Sequence, residues 1–332
     1  MKVHDQLKYF ILIIFCFLFL FSGCTPENSN IDTTVEVITP TIENTASLTQ
    51  TKITLVDGLN REVTLDKPAS RIISLAPSNT EILFAINAGS QMVGRDTLSD
   101  YPEAAKEISD VGGNYGEYDI EKIISLNPDL VIATNMSPVE LVTKLEELNI
   151  TVYYLPEPKN IEGMYENLLT VGQLTDHNQE AELLVEGLKK RVELINDKLQ
   201  NIQERPVVFY EIDGTDASAP WTSGKGTFLD TLINMAGGKN LGSILGVEWA
   251  QISIEEIIAQ DPDLILLGDA IWGGVTVDDV KSRPGWDALT AVKNNRVYEF
   301  DDNIVSRPGP RLVDGLEALA KLLHPEVFQP ND

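Results

Sequence analysis

Hydrophobic positions along this chain follow two alternating periods, and the alternation predicts strands followed by helices. Short apolar runs such as "RIISL", residues 71–75, have the composition of buried strands, and apolar residues spaced three and four apart follow them. The order strand, loop, helix, Ala-Gly occurs twice, ending at residues 88–89 and 236–237. Because this alternation is typical of parallel or mostly parallel sheets, it predicts two similar α/β lobes.

Two fifteen-residue segments have nearly the same sequence, "DIEKIISLNPDLVIA" at 119–133 and "SIEEIIAQDPDLILL" at 253–267. They start 134 residues apart, a period too long for a solenoid and suited to two lobes. Each predicts a helix capped by its first residue and followed by a strand. Glu121 and Glu255 then fall in the first helical turn, where a carboxylate stabilises the positive end of the helix dipole.

Between the lobes, the pattern predicts one long amphipathic helix from Asn178 to about Gln203. At about 1.5 Å per residue it forms a rod of roughly 35 to 40 Å, which resists wide hinge motion. Elsewhere we expect a hairpin around Asp57-Gly58 and a helix capped by Ser78 or Asn79. The predicted limits are 51–160 for the N-terminal lobe, 161–204 for the connecting helical segment and 205–326 for the C-terminal lobe.

The start of the chain has a different character. Two lysines precede an apolar run at residues 9–21 that is too short to span a hydrocarbon core of roughly 30 Å. The following "FSGC" resembles a bacterial lipoprotein signal, which implies a signal peptide at 1–23 and lipidation of Cys24; a simple secretory signal with an incidental cysteine is the alternative. Residues 24–50, rich in Thr, Asn, Ser and Pro, predict a flexible tether to an extracytoplasmic membrane anchor.

Composition and motifs exclude several function classes. With 51 acidic against 25 basic residues and a formal charge of -26, the chain is unsuited to nucleic acid. His4, His177 and His324 are too scattered to predict a transition-metal site, and Cys16 lies in the leader, so we expect no disulfide in the mature chain. No hydrolase, zinc-protease or nucleotide-binding motif occurs where the predicted strands and helices would support it. We therefore expect neither an enzyme nor a cofactor.

Longer strings carry a family resemblance. "RIISLAPSNTEILFAINAG", "DIEKIISLNPDLVIA" and "SRPGPRLVDGLEALA" resemble the substrate-binding lipoproteins of ABC importers, in the helical-linker class that handles siderophores, haem and cobalamin. The likeness runs from Lys52 to Leu323 and implies a ligand cleft between the lobes and a permease dimer with ATPase subunits as partner. Within the class, "SDYP", "WTSGKGTFLDTLINMAGGKNL" and "VEWAQIS" are most similar to cobalamin-binding (BtuF-like) proteins.

This resemblance implies a corrinoid in the cleft and gives candidate roles to particular residues. Aromatic faces suit a large flat ligand, with a few polar groups that fix its orientation. Leu98 stands where the family can have an aromatic residue, and Glu121 and Glu255 match the positions that contact arginines of the permease dimer. The candidate ligand-binding residues are Pro77, Ser78, Leu98, Tyr115, Trp221, Trp249, Asn303 and Arg307.

The charge pattern of the cleft candidates bears on the ligand. Strongly anionic ferric catecholates favour clustered cations, whereas acidic residues outnumber basic ones here, which favours a neutral or cationic corrinoid. A neutral ferric hydroxamate or haem is the alternative ligand, and a surface-anchored adhesin or signalling module is the alternative class. The residues compared are Asp96, Asp100, Asp213, Asp216 and Asp269 against Arg95, Arg307 and Arg311.

Overall fold

The computed structural model describes residues 52–328. The predicted signal peptide, the cysteine predicted to be lipidated, Cys24, and the predicted tether lie outside the described residues. Within them, no helix combines the length and the apolar character needed to cross a membrane.

The first half of the described chain forms a hairpin and a four-stranded sheet. Its strands are β1 (Ile53–Val56), β2 (Glu62–Leu65), β3 (Ile72–Ser74), β4 (Met92–Arg95), β5 (Leu130–Ala133) and β6 (Val152–Tyr154). Its helices are α1 (Pro77–Ala85), α2 (Ile120–Ser125), α3 (Val139–Glu147), α4 (Ile161–Thr175) and α5 (Asn178–Leu199). The sheet has the order β4-β3-β5-β6 and is parallel throughout, as expected for strands that are buried on both faces.

The hairpin predicted around Asp57-Gly58 is confirmed, with β1 antiparallel to β2. The buried Asp57 carboxylate accepts hydrogen bonds from the backbone N–H groups of Leu59 and Arg61 and from the Arg61 guanidinium. The Gly58 N–H donates to the Tyr154 carbonyl at 2.7 Å, so the turn is fixed to the end of the parallel sheet.

The capping role predicted for Ser78 or Asn79 is wrong. Helix α1 begins at Pro77, with Ala76 as an N-cap that makes no side-chain hydrogen bond. Proline suits the first helical position because its φ is already helical and its missing N–H has no intrahelical partner there. Ser78 and Asn79 are consequently inside the first turn and buried, and the Asn79 Nδ2 donates to the Ile132 carbonyl at 3.1 Å.

Two helices, not one, occupy the segment between the sheets. Helices α4 and α5 pack against each other and are separated by two residues. Helix α5 has 22 residues, so it is about 33 Å long, and it ends four residues before the predicted Gln203. Its predicted apolar face is buried at Leu188, Ile195 and Leu199.

The second half forms a mixed sheet. Its strands are β7 (Val207–Asp213), β8 (Trp221–Ser223), β9 (Lys239–Asn240), β10 (Trp249–Gln251), β11 (Leu264–Leu267) and β12 (Val297–Glu299). Its helices are α6 (Phe228–Met235), α7 (Ile254–Gln260), α8 (Ala270–Gly273), α9 (Val277–Ser282), α10 (Thr290–Lys293), α11 (Asn303–Ser306), α12 (Leu312–Leu323) and α13 (Pro325–Phe328). Strands β7, β9, β11 and β12 are parallel, as predicted. The lobe limits drawn from the sequence stay predictions.

An antiparallel ribbon of β8 and β10 extends this second sheet beyond β7, and it distinguishes the C-terminal lobe from the N-terminal one. Two glycines let the ribbon and its loops approach closely. A Cβ atom on Gly224 would lie 2.1 Å from the Val247 carbonyl oxygen, and one on Gly242 would lie 2.1 Å from the Ser223 carbonyl oxygen. Both positions therefore require glycine for lack of space.

Candidate functional site

Two predicted ligand-binding tryptophans lie side by side on the ribbon. Trp221 begins β8 and Trp249 begins β10, and the register pairs Trp249 with Ser223 and Trp221 with Gln251. Because side chains alternate along a strand, the two tryptophans are diagonal neighbours on one face of the ribbon, positions that in general lie about 7–8 Å apart along the backbone. They are 43% and 55% exposed, too open for residues that cap a core. The ribbon thus presents a solvent-facing aromatic surface, called here the tryptophan pair.

A third tryptophan, Trp272, is a candidate that the sequence analysis missed. It lies in α8, five residues after the end of β11, and it is 59% exposed. Ligand loops of an open α/β sheet gather at the carboxyl ends of its parallel strands, which is where this residue lies. The signal was local, since "IWGG" follows the buried strand "LILL" within a few residues. By contrast, Trp286 is fully buried and packs edge-to-face on Phe209.

The N-terminal candidates occupy the loops that follow β3 and β4. Pro77 and Ser78 are buried at the start of α1, close to the C-terminal segment that contains Gly309, where an added Cβ would lie 3.5 Å from the Ser78 carbonyl oxygen. Leu98 is exposed in the loop after β4. The backbone of Tyr115 forms a short 3-10 turn, and its side chain lies outside what the structure describes.

Charged side chains from both lobes meet beside α1. Both the Nε and the Nη2 of Arg311 donate to the Glu81 carboxylate, at 2.9 and 2.6 Å. The Nη1 of Arg307 donates to Asp100 Oδ1 at 2.6 Å and reaches Glu81 Oε1 at 3.5 Å. The Arg311 guanidinium also lies 4.0 Å from the centre of the Tyr101 ring, within cation–π range. These five residues are called the junction cluster.

Ion pairing within the junction cluster favours the charged forms of Arg311 and Asp100. Burial opposes the charge of Arg311, but the hydrogen bonds and charge of Glu81 outweigh it and raise the pKa of Arg311. Burial likewise opposes ionisation of Asp100, yet the hydrogen bond and charge of Arg307 lower the pKa of Asp100 overall. The fully buried Asp96 nearby behaves differently, because burial raises its pKa despite hydrogen bonds from Ser99 and the Leu98 N–H.

Asn303 and Arg307 lie four residues apart, at the start and just past the end of α11. The Asn303 Nδ2 donates to Asp301 Oδ1 at 2.9 Å, which orients the amide. The neighbouring Asp302 accepts a 2.7 Å hydrogen bond from the Tyr210 hydroxyl, and burial is the main reason that the pKa of Tyr210 is raised well above its usual value. The carboxyl end of the C-terminal sheet is therefore rich in oriented acidic groups.

The two predicted docking glutamates occupy equivalent places. Asp119 Oδ1 accepts from the Lys122 N–H at 2.8 Å and Ser253 Oγ accepts from the Glu256 N–H at 3.2 Å, so both N-cap predictions are confirmed. Glu121 and Glu255 fall in the first turns of α2 and α7 and are exposed. Their carboxylates are thus available to a partner on each lobe.

Five of the predicted ligand-binding residues fall into two groups. One contains the tryptophan pair, and the other brings Pro77 and Ser78 towards the segment of Arg307. Within residues 52–328, no hydrogen bond, ion pair or aromatic contact connects the two groups directly. The same residues contain no cluster of three His, Cys, Asp or Glu side chains suited to a metal ion.

Comparison with known proteins identifies the family. The family model described as "Periplasmic binding protein" matches residues 72–304. An uncharacterised ABC transporter substrate-binding lipoprotein of Bacillus subtilis, YvrC, is 34% identical over 83% of this chain and 87% of its own length.

Solved structures agree with the two-lobed fold. The periplasmic vitamin B12 binding protein BtuF of Vibrio cholerae is 28% identical, covers 79% of this chain and 99% of its own, and has a TM-score of 0.67. The haem-binding protein RhuT of Roseiflexus sp. RS-1 is 27% identical, covers 78% and 99%, and has a TM-score of 0.70. The α/β fold of two similar lobes predicted from the sequence is confirmed. The chain belongs to the periplasmic binding protein family, and the relatives that it resembles include a substrate-binding lipoprotein of an ABC transporter.

Proposed function

We propose that this protein is a lipid-anchored, extracytoplasmic component of an ABC importer that captures a corrinoid and delivers it to the permease. The observation that carries the proposal is the exposed tryptophan pair, with the exposed Trp272 in α8, the helix that follows β11 on the other side of β7. Covering roughly 100 Å² of each indole with an apolar ring contributes about 2 kcal/mol per tryptophan. Such a surface suits a large flat ligand better than a small ion.

The charges around the site favour a neutral or cationic ligand. Four carboxylates lie at the carboxyl ends of the parallel strands in the C-terminal lobe: Asp213 is the last residue of β7, Asp269 follows β11, and Asp301 and Asp302 follow β12. Both arginines of the junction cluster are already paired with carboxylates. A haem would place two ionised propionates in this acidic environment, whereas the amide groups at the edge of a corrinoid carry no charge. The charges therefore favour a corrinoid over haem as the ligand.

Ligand titration tests this assignment. We expect cyanocobalamin to quench the tryptophan fluorescence of the full chain in detergent with a sub-micromolar Kd, and to bind more tightly than haemin or ferrichrome. Trp249→Ala should weaken cyanocobalamin binding by roughly tenfold or more, and Trp249→Phe should restore most of it because an aromatic face remains. Tight binding of ferrichrome or haemin without cyanocobalamin would overturn the corrinoid and leave the class intact.

The permease contact belongs to Glu121 and Glu255 under this proposal. One exposed carboxylate per lobe, held apart by the folded body, would set the docking register on basic side chains of a permease dimer. We expect Glu121→Ala with Glu255→Ala to abolish transport in cells while the ligand Kd stays within twofold. The matched control is Glu140→Ala with Glu256→Ala, which removes two other carboxylates from first helical turns. Transport that survives the first pair would show that the glutamates only stabilise their helices.

The lipid anchor rests on Cys24 and lies outside the described residues. Metabolic labelling with palmitate should mark the wild-type protein, and Cys24→Ala should remove both the label and the protein from the membrane fraction. A labelled Cys24→Ala protein, or an unlabelled wild type, would contradict the proposed anchor.

A further inference from the structure

The two arginines of the junction cluster differ in how firmly they are held. Arg311 makes two hydrogen bonds to Glu81, whose side chain is only 1% exposed. If Arg311 moved away, the Glu81 carboxylate would remain buried without a counter-ion, which is strongly unfavourable. Arg311 is therefore fixed in place and does not exchange Glu81 for a ligand.

Arg307 is held differently. Its close partner is Asp100, whose side chain is 53% exposed and is therefore hydrated even when the pair separates. Among residues 52–328, with the Tyr115 side chain left aside, only Nη1 of Arg307 donates to acceptors, and its Nε and Nη2 have none. These two donors are available to an acceptor on a ligand while Asp100 stays in place.

The charge around Arg307 is already balanced. Asp100 and Glu81 both contact its Nη1, Asp96 lies near enough to interact with its charge, and Asp301 interacts with the neighbouring Arg311. A neutral carbonyl oxygen needs only a donor, which Arg307 still offers. A ligand carboxylate also needs a net positive electrostatic potential at the site, and the negative charge of Asp100 cancels the positive potential of Arg307.

We propose that Asp100 is a specificity-determining residue: by pairing with Arg307 across the lobes, it makes the site accept neutral hydrogen-bond acceptors and disfavour carboxylates. This inference rests on the proposed ligand-binding role of Arg307. Because the pair is partly exposed, the discrimination it provides is modest, roughly three- to tenfold in Kd at low ionic strength.

Two corrinoids that differ by one charge give the sharpest test. Cyanocobalamin and its monocarboxylic acid, in which one side-chain amide is a carboxylate, have nearly the same size and shape. The Kd of each is measured by fluorescence quenching with wild type, Asp100→Asn and Asp100→Glu, at about 20 mM and about 500 mM salt. Glu103→Gln is the matched control, since it removes the same charge from the same loop and its partner is Lys106.

We expect wild type to prefer neutral cyanocobalamin, and Asp100→Asn to reduce that preference three- to tenfold at low salt. High salt should shrink the difference, because exposed charges are screened. Asp100→Glu should keep much of the preference, and Glu103→Gln should leave it within twofold. An Asp100→Asn variant with the wild-type ratio, or a wild type that prefers the acid, would overturn the inference.

Failure of the proposed function has a different signature. If wild type binds neither corrinoid, the corrinoid assignment is wrong, and the same comparison is made between neutral ferrichrome and anionic haemin. Stronger haemin binding by Asp100→Asn relative to ferrichrome then supports the role of Asp100. If Asp100→Asn matches wild type for every probe, the inference is wrong whichever ligand the protein binds.

Discussion

Each lobe contains a glutamate that is almost completely buried, and the two differ in the origin of the arginine that neutralises it. In the C-terminal lobe, Glu211 of β7 receives two hydrogen bonds from Arg283, which directly follows α9 of the same lobe. In the N-terminal lobe, Glu81 of α1 is neutralised by Arg311, just before α12 in the other lobe. The Glu211–Arg283 pair therefore stabilises one lobe. The Glu81–Arg311 pair forms only when the two lobes are in contact, so the buried charge of Glu81 is neutralised only in the associated lobes.

The comparison predicts different consequences for the loss of each arginine. Breaking a buried pair leaves an uncompensated charge, and the penalty depends on whether water can reach that charge without unfolding. Water reaches Glu211 only if the C-terminal lobe opens its own core. It reaches Glu81 if the lobes merely separate.

The largest effect is expected from Arg283→Met. It leaves Glu211 buried and unpaired, so we expect the free energy of unfolding at pH 7 to fall by about 3–5 kcal/mol. Urea unfolding followed by circular dichroism measures the loss. The double variant Arg283→Met with Glu211→Gln should recover part of it, and a double variant less stable than the single one would contradict the electrostatic explanation.

A smaller loss is expected from Arg311→Met, about 1–3 kcal/mol, because lobe separation hydrates Glu81 before either lobe unfolds. Hydrogen exchange should show faster exchange at the junction and unchanged exchange in β7 and β11. If Arg311→Met destabilises the protein as much as Arg283→Met, the proposed difference between the two buried glutamates is wrong.

The third prediction concerns pH. Burial raises the pKa of Glu211 above its ordinary value of 4.5, although hydrogen bonds from Arg283 act in the opposite direction. The folded state therefore binds the proton more tightly, and stability decreases as the pH rises from 4.5 through the folded pKa. In Arg283→Met that pKa rises further, so its stability deficit should be about 1–2 kcal/mol smaller at pH 5 than at pH 7. A deficit that does not change with pH would exclude Glu211 as its cause.

The smallest expected effect concerns the feature that the lobes share. Asp119→Ala and Ser253→Ala each remove an N-cap hydrogen bond from an equivalent helix, so each should cost about 1 kcal/mol in urea unfolding. Asp119→Ser and Ser253→Asp, which retain a capping side chain, serve as controls. Clearly unequal losses would mean that the two helices have different roles in their lobes.

Much of the fold follows from local patterns in the sequence. The caps at Asp119 and Ser253 lie within three residues of the N–H groups that they satisfy, and the buried parallel strands are continuous apolar runs. The start of α1 was misplaced because Pro77 can itself begin a helix, a local preference that outweighed the serine beside it.

The site was harder to predict because its contacts join distant parts of the chain. Arg311 and Glu81 are 230 residues apart, and Arg307 and Asp100 are 207 apart, so no sequence spacing reveals either pair. The pairing of β8 with β10 depends on two short strands whose alternation is too brief to predict a ribbon. Trp272 could have been found, because an aromatic residue in the loop or short helix after a buried parallel strand is a local signal.

The two close-approach glycines of the ribbon determine where this protein can be re-engineered. Any side chain at Gly224 or Gly242 collides with main-chain oxygen, so it would displace the strands that carry both indoles. Trp221 and Trp249 themselves project into solvent and can be exchanged without disturbing the interior. A library intended to retarget the protein to another flat ligand should therefore randomise the two tryptophans and leave both glycines unaltered. The exposed side chains of the ribbon tolerate substitution, whereas its backbone packing does not.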